Sequence, residues 1–311
     1  MDYILNQDRI QPYGALDFIA RQVVEGFITG LHKSPFHGFS VEFAEHRQYN
    51  AGESIKHIDW KIYGRTDRLY VKRYEEETNL RCQLIVDNSS SMYFPVIDRP
   101  SIDNPNKITF SIYATAALMY MLKSQRDAVA LSVFSDGLEF QTEAKSSSVH
   151  HKYLLSELEK MLQPISVNTR KNTFATQALH EIAERIHKRS LVVIFSDMME
   201  SHADINELFS ALQHLKHNKH EVILFHVVDK SKEIDFEYDN RPYKFIDMET
   251  GDEVKLNPIE VKERYIQSVR HFKQELMLRC AKYHIDFVEA DINKGFDQIL
   301  MPYLLKRERL F

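Results

Sequence analysis

Three short runs constrain the fold more than anything else in the chain: Cys82 to Val86, Leu191 to Phe195 and Val222 to Val228 are near-continuous apolar stretches. A strand with one wet face alternates apolar and polar residues, whereas a strand of a parallel sheet is covered on both faces and reads as an unbroken apolar run. Between these runs the apolar residues recur at helical spacing. Ile108 to Lys123 places Phe110, Ile112, Ala116, Ala117 and Met121 for burial, and further helices are expected over Tyr153 to Leu162, Thr173 to His187 and Ile205 to Lys216. Ala128 to Phe134 reads as another strand, with a turn at Asp136-Gly137. Strand and helix in alternation predict a doubly wound, mostly parallel α/β sheet. Beyond it, Tyr243 to Leu256 reads as a hairpin turning at Thr250-Gly251-Asp252, Glu260 to Tyr283 as a long helix after Pro258, and Ile285 to Glu289 as a last strand.

The first part of the chain has a different rhythm. Asp17 to Leu31 carries Ile19, Val23, Val24, Phe27 and Leu31 at roughly helical spacing, and His37 to Arg81 mixes aromatic, glycine and charged residues, with strand-like alternation from Leu69 to Tyr74. The expected organisation is therefore a small α+β subdomain over residues 1–80 and the α/β domain over residues 81–311.

Composition narrows the function classes. Of 311 residues, 43% are hydrophobic and 27% charged, with 9 Gly and 9 Pro, which fits an ordered chain and not a disordered one. The two cysteines, Cys82 and Cys280, lie far apart and form neither a disulfide framework nor a zinc-ribbon pair. No signal-peptide core and no apolar run of the roughly 20 residues needed to cross a bilayer is visible, so a soluble, cytoplasmic protein with no membrane partner is expected. A formal net charge of -5 argues against a general nucleic-acid binder, although Arg47, Lys56, Lys61, Arg65, Arg68, Lys72 and Arg73 make the first third locally basic.

The segment with the most chemistry is Asp87-Asn88-Ser89-Ser90-Ser91, of the form D-x-S-x-S, which starts where the strand Cys82 to Val86 ends. In an open α/β sheet, ligands bind in the crevice beyond the carboxyl ends of the strands. A carboxylate and two hydroxyls there are hard oxygen donors, suited to Mg²⁺ or Mn²⁺. The plainer reading is a polar turn with a serine capping the next helix. Thr173, at a helix start, supplies another hydroxyl, and Asp197, after the strand Leu191 to Phe195, supplies a second carboxylate; each could also be a simple helix cap. His214, His217 and His220 are read as structural, since the first two end a surface helix and the third begins the next segment. The run Glu75-Glu76-Glu77 reads as a solvated edge or turn.

Asp87, Ser89 and Ser91, then Thr173, then Asp197 resemble the three loops of the metal-ion-dependent adhesion site of von Willebrand factor A domains. Arg47-x-Tyr49-x-x-Gly52-Glu53, Ile58-Asp59-Trp60 and Leu69-Tyr70-Val71-Lys72 resemble the domain of unknown function 58 family, in which aspartate is more often found where Glu53 stands. The resemblance implies a von Willebrand factor A-like, Rossmann-type fold and a bound Mg²⁺ with a vacancy for a partner's carboxylate. It further implies a non-enzymatic adaptor that works with a MoxR-type AAA+ ATPase in the maturation or assembly of other proteins. Arg47, Asp59 and Trp60 offer a partner surface or, on the plainer reading, an anchor of the subdomain. The stretch Tyr93 to Asn106 forms a loop beside the site, from which Asp98 or Asp103 could reach in.

Two other functions compete. A Mg²⁺-dependent phosphate-ester hydrolase would use Asp87 as nucleophile, but Ser89 stands where such D-x-D enzymes carry their acid/base, and no G-x-S-x-G, P-loop or H-E-x-x-H motif is present. A nucleic-acid-binding module would use the basic first third, with Tyr63, Tyr70 and Tyr74 as stacking surfaces.

Overall fold

The computed structural model describes residues 15–32, 46–48, 63–65, 67–72, 80–162, 175–198 and 205–308. The elements in chain order are α1 (Ala15–His32), β1 (His46–Gln48), β2 (Tyr70–Lys72), β3 (Arg81–Asp87), α2 (Lys107–Ser124), β4 (Ala128–Phe134) and β5 (Leu138–Gln141). After them come α3 (Ser148–Met161), α4 (Ala175–Arg185), β6 (Leu191–Ser196), α5 (Ile205–His217) and β7 (Glu221–Val228), then β8 (Tyr243–Ile246), β9 (Glu253–Leu256), α6 (Pro258–Lys282), β10 (Asp286–Asp291) and α7 (Asp297–Glu308). The chain divides into two compact units, Met1–Phe27 with Leu80–Phe311, and Ile28–Asn79. In the smaller unit β1 and β2 pair antiparallel, with Arg47 opposite Val71. Tyr49, Gly52, Glu53, Ile58, Asp59, Trp60 and the run Glu75 to Glu77 lie outside the described residues.

The larger unit is built on a six-stranded sheet in the order β10-β7-β6-β3-β4-β5. Every neighbouring pair is parallel except β4 with β5, so the fold is a doubly wound, mostly parallel sheet with one antiparallel edge. The apolar runs are its middle: β3 and β6 are buried from Cys82 to Asp87 and from Leu191 to Ser196. Ile85, Ile194 and Leu224 are in register across β3, β6 and β7 and pack into one core with Ala178, Leu179 and Ile182 of α4, Leu208 and Leu212 of α5, and Leu276 and Cys280 of α6.

On the opposite face the register pair Phe195 and Phe225 stack at 5.0 Å between ring centroids, and burying each ring contributes roughly 1.5–3 kcal/mol. That face is covered by α2, which is buried on nearly every side, from Lys107 to Met119 without a break. A helix apolar all round belongs inside a protein and not on its surface. Phe110 of α2 stacks on Phe296 at 4.9 Å, just ahead of α7.

Asn106 starts α2 by accepting the Thr109 N–H on Oδ1 at 3.0 Å, and Pro258 at the first turn of α6 follows its Asn257 cap. The β8–β9 hairpin pairs Tyr243 with Leu256 and turns where Asp247 Oδ1 accepts the N–H groups of Glu249 and Thr250. Gly251 there has φ 80°, a conformation that side chains other than glycine's resist. His220, one of the three histidines of the sequence cluster, is fully buried and takes the Ser190 N–H on Nδ1 at 3.1 Å, which is a structural role.

Candidate functional site

The strand order fixes where the crevice lies. From β3 the chain continues into β4 on one side, and from β6 it continues into β7 on the other, so the order reverses between the neighbours β3 and β6. Loops leaving the carboxyl ends of two such strands part from each other and leave an opening. Asp87 is the last residue of β3, and Asp197 is the first residue after β6. Both are fully buried, as are Ser89 and Ser196.

The first loop is held from several sides. The Asn88 N–H donates to Phe134 O at 2.7 Å, Asn88 Nδ2 donates to Glu139 Oε2 at 2.9 Å, and Tyr93 Oη donates to Asn88 Oδ1 at 2.8 Å. Asn88 thus turns away from the crevice to brace the loop on β4 and β5, while its neighbours turn inward. Asp87 Oδ1 accepts the Ser89 N–H at 2.9 Å and Oδ2 accepts the Ser196 hydroxyl at 2.6 Å. The Ser89 and Ser91 hydroxyl oxygens lie 3.0 Å apart.

The β6 loop is equally fixed. Ser196 Oγ accepts the Met198 N–H at 2.9 Å, and Met198, almost fully buried, has φ 52°, a strained value for a non-glycine residue of the kind that gathers at functional sites. Asp197 Oδ2 receives Lys107 Nζ at 2.8 Å, and the same ammonium donates to Glu233 Oε1 at 2.6 Å. Glu233 stands on the turn after β7 and accepts the Asp229 N–H on Oε2 at 2.7 Å. Asp229 in turn caps that turn through Lys232 N–H and holds Ser231 Oγ at 2.8 Å.

The electrostatics follow from burial. Removal from water, and then the neighbouring Asp197 carboxylate, push Asp87 up to about 7 against its hydrogen bonds from Ser196 and Ser89. Burial opposes the charge on Lys107, but Asp197 and Glu233 outweigh it and hold the ammonium above its usual range. Burial raises Glu233 despite the pull of Lys107. Burial lowers the nearby imidazole of His226 to about 4, so it is neutral near pH 7. Two carboxylates, Asp197 and Glu233, therefore share one fixed cation, while Asp87 beside them is held by Ser89 and Ser196.

A hard divalent ion fits this donor set. Neighbouring ligands of an octahedral Mg²⁺ with bonds of about 2.1 Å stand about 3 Å apart, and the Ser89 and Ser91 hydroxyls, which hydrogen-bond to each other at 3.0 Å, have a compatible separation. Asp87, Ser89, Ser91 and Asp197 come together at one crevice; Thr173 lies outside the described residues. Asp98 and Asp103 stand exposed on a loop whose base is tied by the Lys107 N–H to Phe94 O at 3.0 Å. Sequence reasoning missed Lys107 and Glu233. A lysine at the first position of a helix opposes the helix dipole, and that local conflict was the available signal for Lys107. Glu233 carried none, because nothing in its surroundings in sequence marks the turn that places it.

Solved structures of similar fold include BatB from Bacteroides thetaiotaomicron, 13% identical over 75% of this chain and 100% of its own, with a TM-score of 0.41. The SpRpn10 VWA domain is 11% identical over 71% of this chain and 93% of its own, with a TM-score of 0.36. An aerotolerance-related membrane protein from Bacteroides fragilis is 16% identical over 71% and 97%, with a TM-score of 0.41. The expectation of a cytoplasmic protein is corrected by this last likeness, whose description is that of a membrane protein. Among the described residues no helix is long and apolar enough to cross a membrane.

Uncharacterised proteins of Mycobacterium tuberculosis and Mycobacterium bovis are 22% identical over 184 residues, 59% of this chain and 55% of theirs. The chain thus spans about half the length of the curated relatives it matches. The family described as "Protein of unknown function DUF58" matches residues 45–275, and the chain belongs to it.

Proposed function

We propose that this chain is a non-enzymatic adaptor that binds other proteins through a divalent cation held in the β3–β6 crevice. The observation that carries the reading is the cluster itself: Asp87, Ser89, Ser91 and Asp197 are gathered at the topological switch point, where Asp197 and Glu233 face one ammonium and Asp87 lies beside Asp197. Ser89 and Ser91 would hold the ion directly, Asp87 and Asp197 would supply the negative charge that retains it, and Thr173 would complete the set. Mg²⁺ suits these donors, with Mn²⁺ as a substitute. The bound ion would supply an electrophilic position for a carboxylate of the partner. By the family resemblance that partner is a MoxR-type AAA+ ATPase or its client, and the role is maturation or assembly of other proteins.

The geometry favours binding over hydrolysis. As a nucleophile Asp87 would need an acid/base group two residues on, and Ser89, whose N–H donates to Asp87 Oδ1 there, supplies only a hydroxyl. The test is affinity capture of the tagged protein from its own cell lysate, in Mg²⁺ and in chelator, with Asp87→Ala as control. An ATPase retained only by wild type in Mg²⁺ supports the adaptor reading, and capture by a folded Asp87→Ala protein at wild-type level refutes it.

A further inference from the structure

Lys107 is a whole cation already inside the crevice. Lysines are almost never fully buried unless paired, and this one has a side chain only 1% exposed. Its position is enforced: the Asn106 cap starts α2, the Lys107 N–H is tied to Phe94 O, and the ammonium stands 5.9 Å from the Phe94 ring centroid. The helix start disfavours a positive charge there, so the site and not the helix accounts for the lysine. The ammonium also has two partners of different kinds. Asp197 belongs to the strand end that faces Asp87, whereas Glu233 belongs to the turn after β7 and is anchored separately on Asp229. An ammonium bridging two such groups can keep one when the other is taken.

Resting on the metal-site reading above, we propose that Lys107 is a built-in competitor for the divalent ion: its ammonium holds the Asp197 carboxylate, and Glu233 is the partner that retains it when the ion claims Asp197. Two effects act together. The ammonium neutralises a carboxylate that would otherwise attract the ion, and it repels a dication nearby in a poorly screened interior. Metal affinity at this crevice is therefore set by a residue that is not a ligand.

The test uses Mn²⁺ alone as probe, with free Mn²⁺ read by its electron paramagnetic resonance signal, on the full chain. The variants are Asp87→Ala, Glu233→Gln and the charge-conserving pair Lys107→Met with Glu233→Gln, each checked by thermal melting. The pair removes one positive and one negative group, so net charge stays constant and no lysine is left to hold Asp197. The proposal expects the double variant to bind Mn²⁺ at least tenfold more tightly than wild type. Glu233→Gln alone, which leaves the ammonium to Asp197, should weaken binding at least threefold. Equal or weaker binding by a folded double variant overturns the proposal, and if that variant does not fold, unchanged or tighter binding by Glu233→Gln does so. Where wild type binds Mn²⁺ in an Asp87-dependent way and these changes fail to appear, only the competitor role falls. Where neither wild type nor any variant binds Mn²⁺, the metal-site reading falls with it.

Discussion

The central sheet buries a carboxylate against a cation at each of its two ends, and the ends differ in how the charges count. At the amino end Asp127, just before β4, is bonded to the Arg307 guanidinium of α7, and Tyr303 and Cys82 are buried around the pair. One carboxylate meets one cation. At the carboxyl end Asp197 and Glu233 share Lys107, Asp87 lies beside them on hydrogen bonds from Ser89 and Ser196, and Ser89 and Ser91 turn their hydroxyls toward each other. The matched pair ties α7 to the sheet through Asp127 Oδ2. An excess of buried carboxylate is costly unless another cation completes it. The same chemistry, buried charge, therefore reads as structure at one end and as a site at the other.

The comparison breaks most sharply at Arg307. Arg307→Ala strands the fully buried Asp127 carboxylate, and removing one partner of a buried pair costs about 3–5 kcal/mol. Denaturant unfolding should show this loss equally in Mg²⁺ and in chelator. A loss that Mg²⁺ repairs would mean that the two ends are coupled.

A pH effect must be separated from the metal effect before the carboxyl end is interpreted. Burial, with Lys123 and His150 adding, lowers His151 of α3 to about 4, so the folded protein keeps it neutral. The unfolded imidazole takes a proton below about 6.5, so the unfolded state binds more protons between roughly pH 6.5 and 4, and stability falls as pH drops through that window. The loss amounts to on the order of 3 kcal/mol by pH 4. His226, also lowered to about 4, adds an effect of the same sign. His151→Gln should flatten the acid slope of stability measured in chelator, while an unchanged slope would assign it to other groups.

The smallest effect belongs to the serines. Ser91→Ala removes one neutral hydrogen bond, worth about 1 kcal/mol of stability without metal, and Ser89→Ala removes in addition a side-chain hydrogen bond to Asp87. Each should weaken Mg²⁺ binding about tenfold, since a lost ligand costs the ion more than the fold, an expectation on the order of 1.4 kcal/mol. Calorimetric titration of either variant reads the difference. Equal affinity in wild type and both variants would remove the serines from the site.

What the sequence revealed follows the same division. The buried strands were legible because covering both faces forces unbroken apolar runs, and Ala128–Phe134 is found with the ends that its pattern predicts. The antiparallel edge β5 was not read: three of its four residues are half-buried and Glu139 is exposed, and they follow directly on the turn at Asp136-Gly137. The helix α7 was missed because Pro302 interrupts its pattern and its apolar residues cluster instead of recurring. The helix α3 begins five residues earlier than its apolar spacing suggests, because its first turn, Ser148 to His151, has Val149 as its one apolar residue and is capped by Ser147. At the site, Asp87 and Asp197 could be found from strand ends alone, and Ser89 and Ser91 from the spacing that follows. Lys107 and Glu233 could not, since a partner brought in by the third dimension leaves no periodic trace in the chain.

The central claim is that the β3–β6 crevice holds a divalent cation on Ser89 and Ser91. A crystal grown with Mn²⁺ and measured for anomalous scattering tests it most directly. The account predicts one strong peak within metal–oxygen bonding distance, roughly 2.0–2.3 Å, of both hydroxyl oxygens, beside Asp87 and Asp197. Density showing water alone between the serines, with Lys107 still on Asp197 at saturating Mn²⁺, would contradict it.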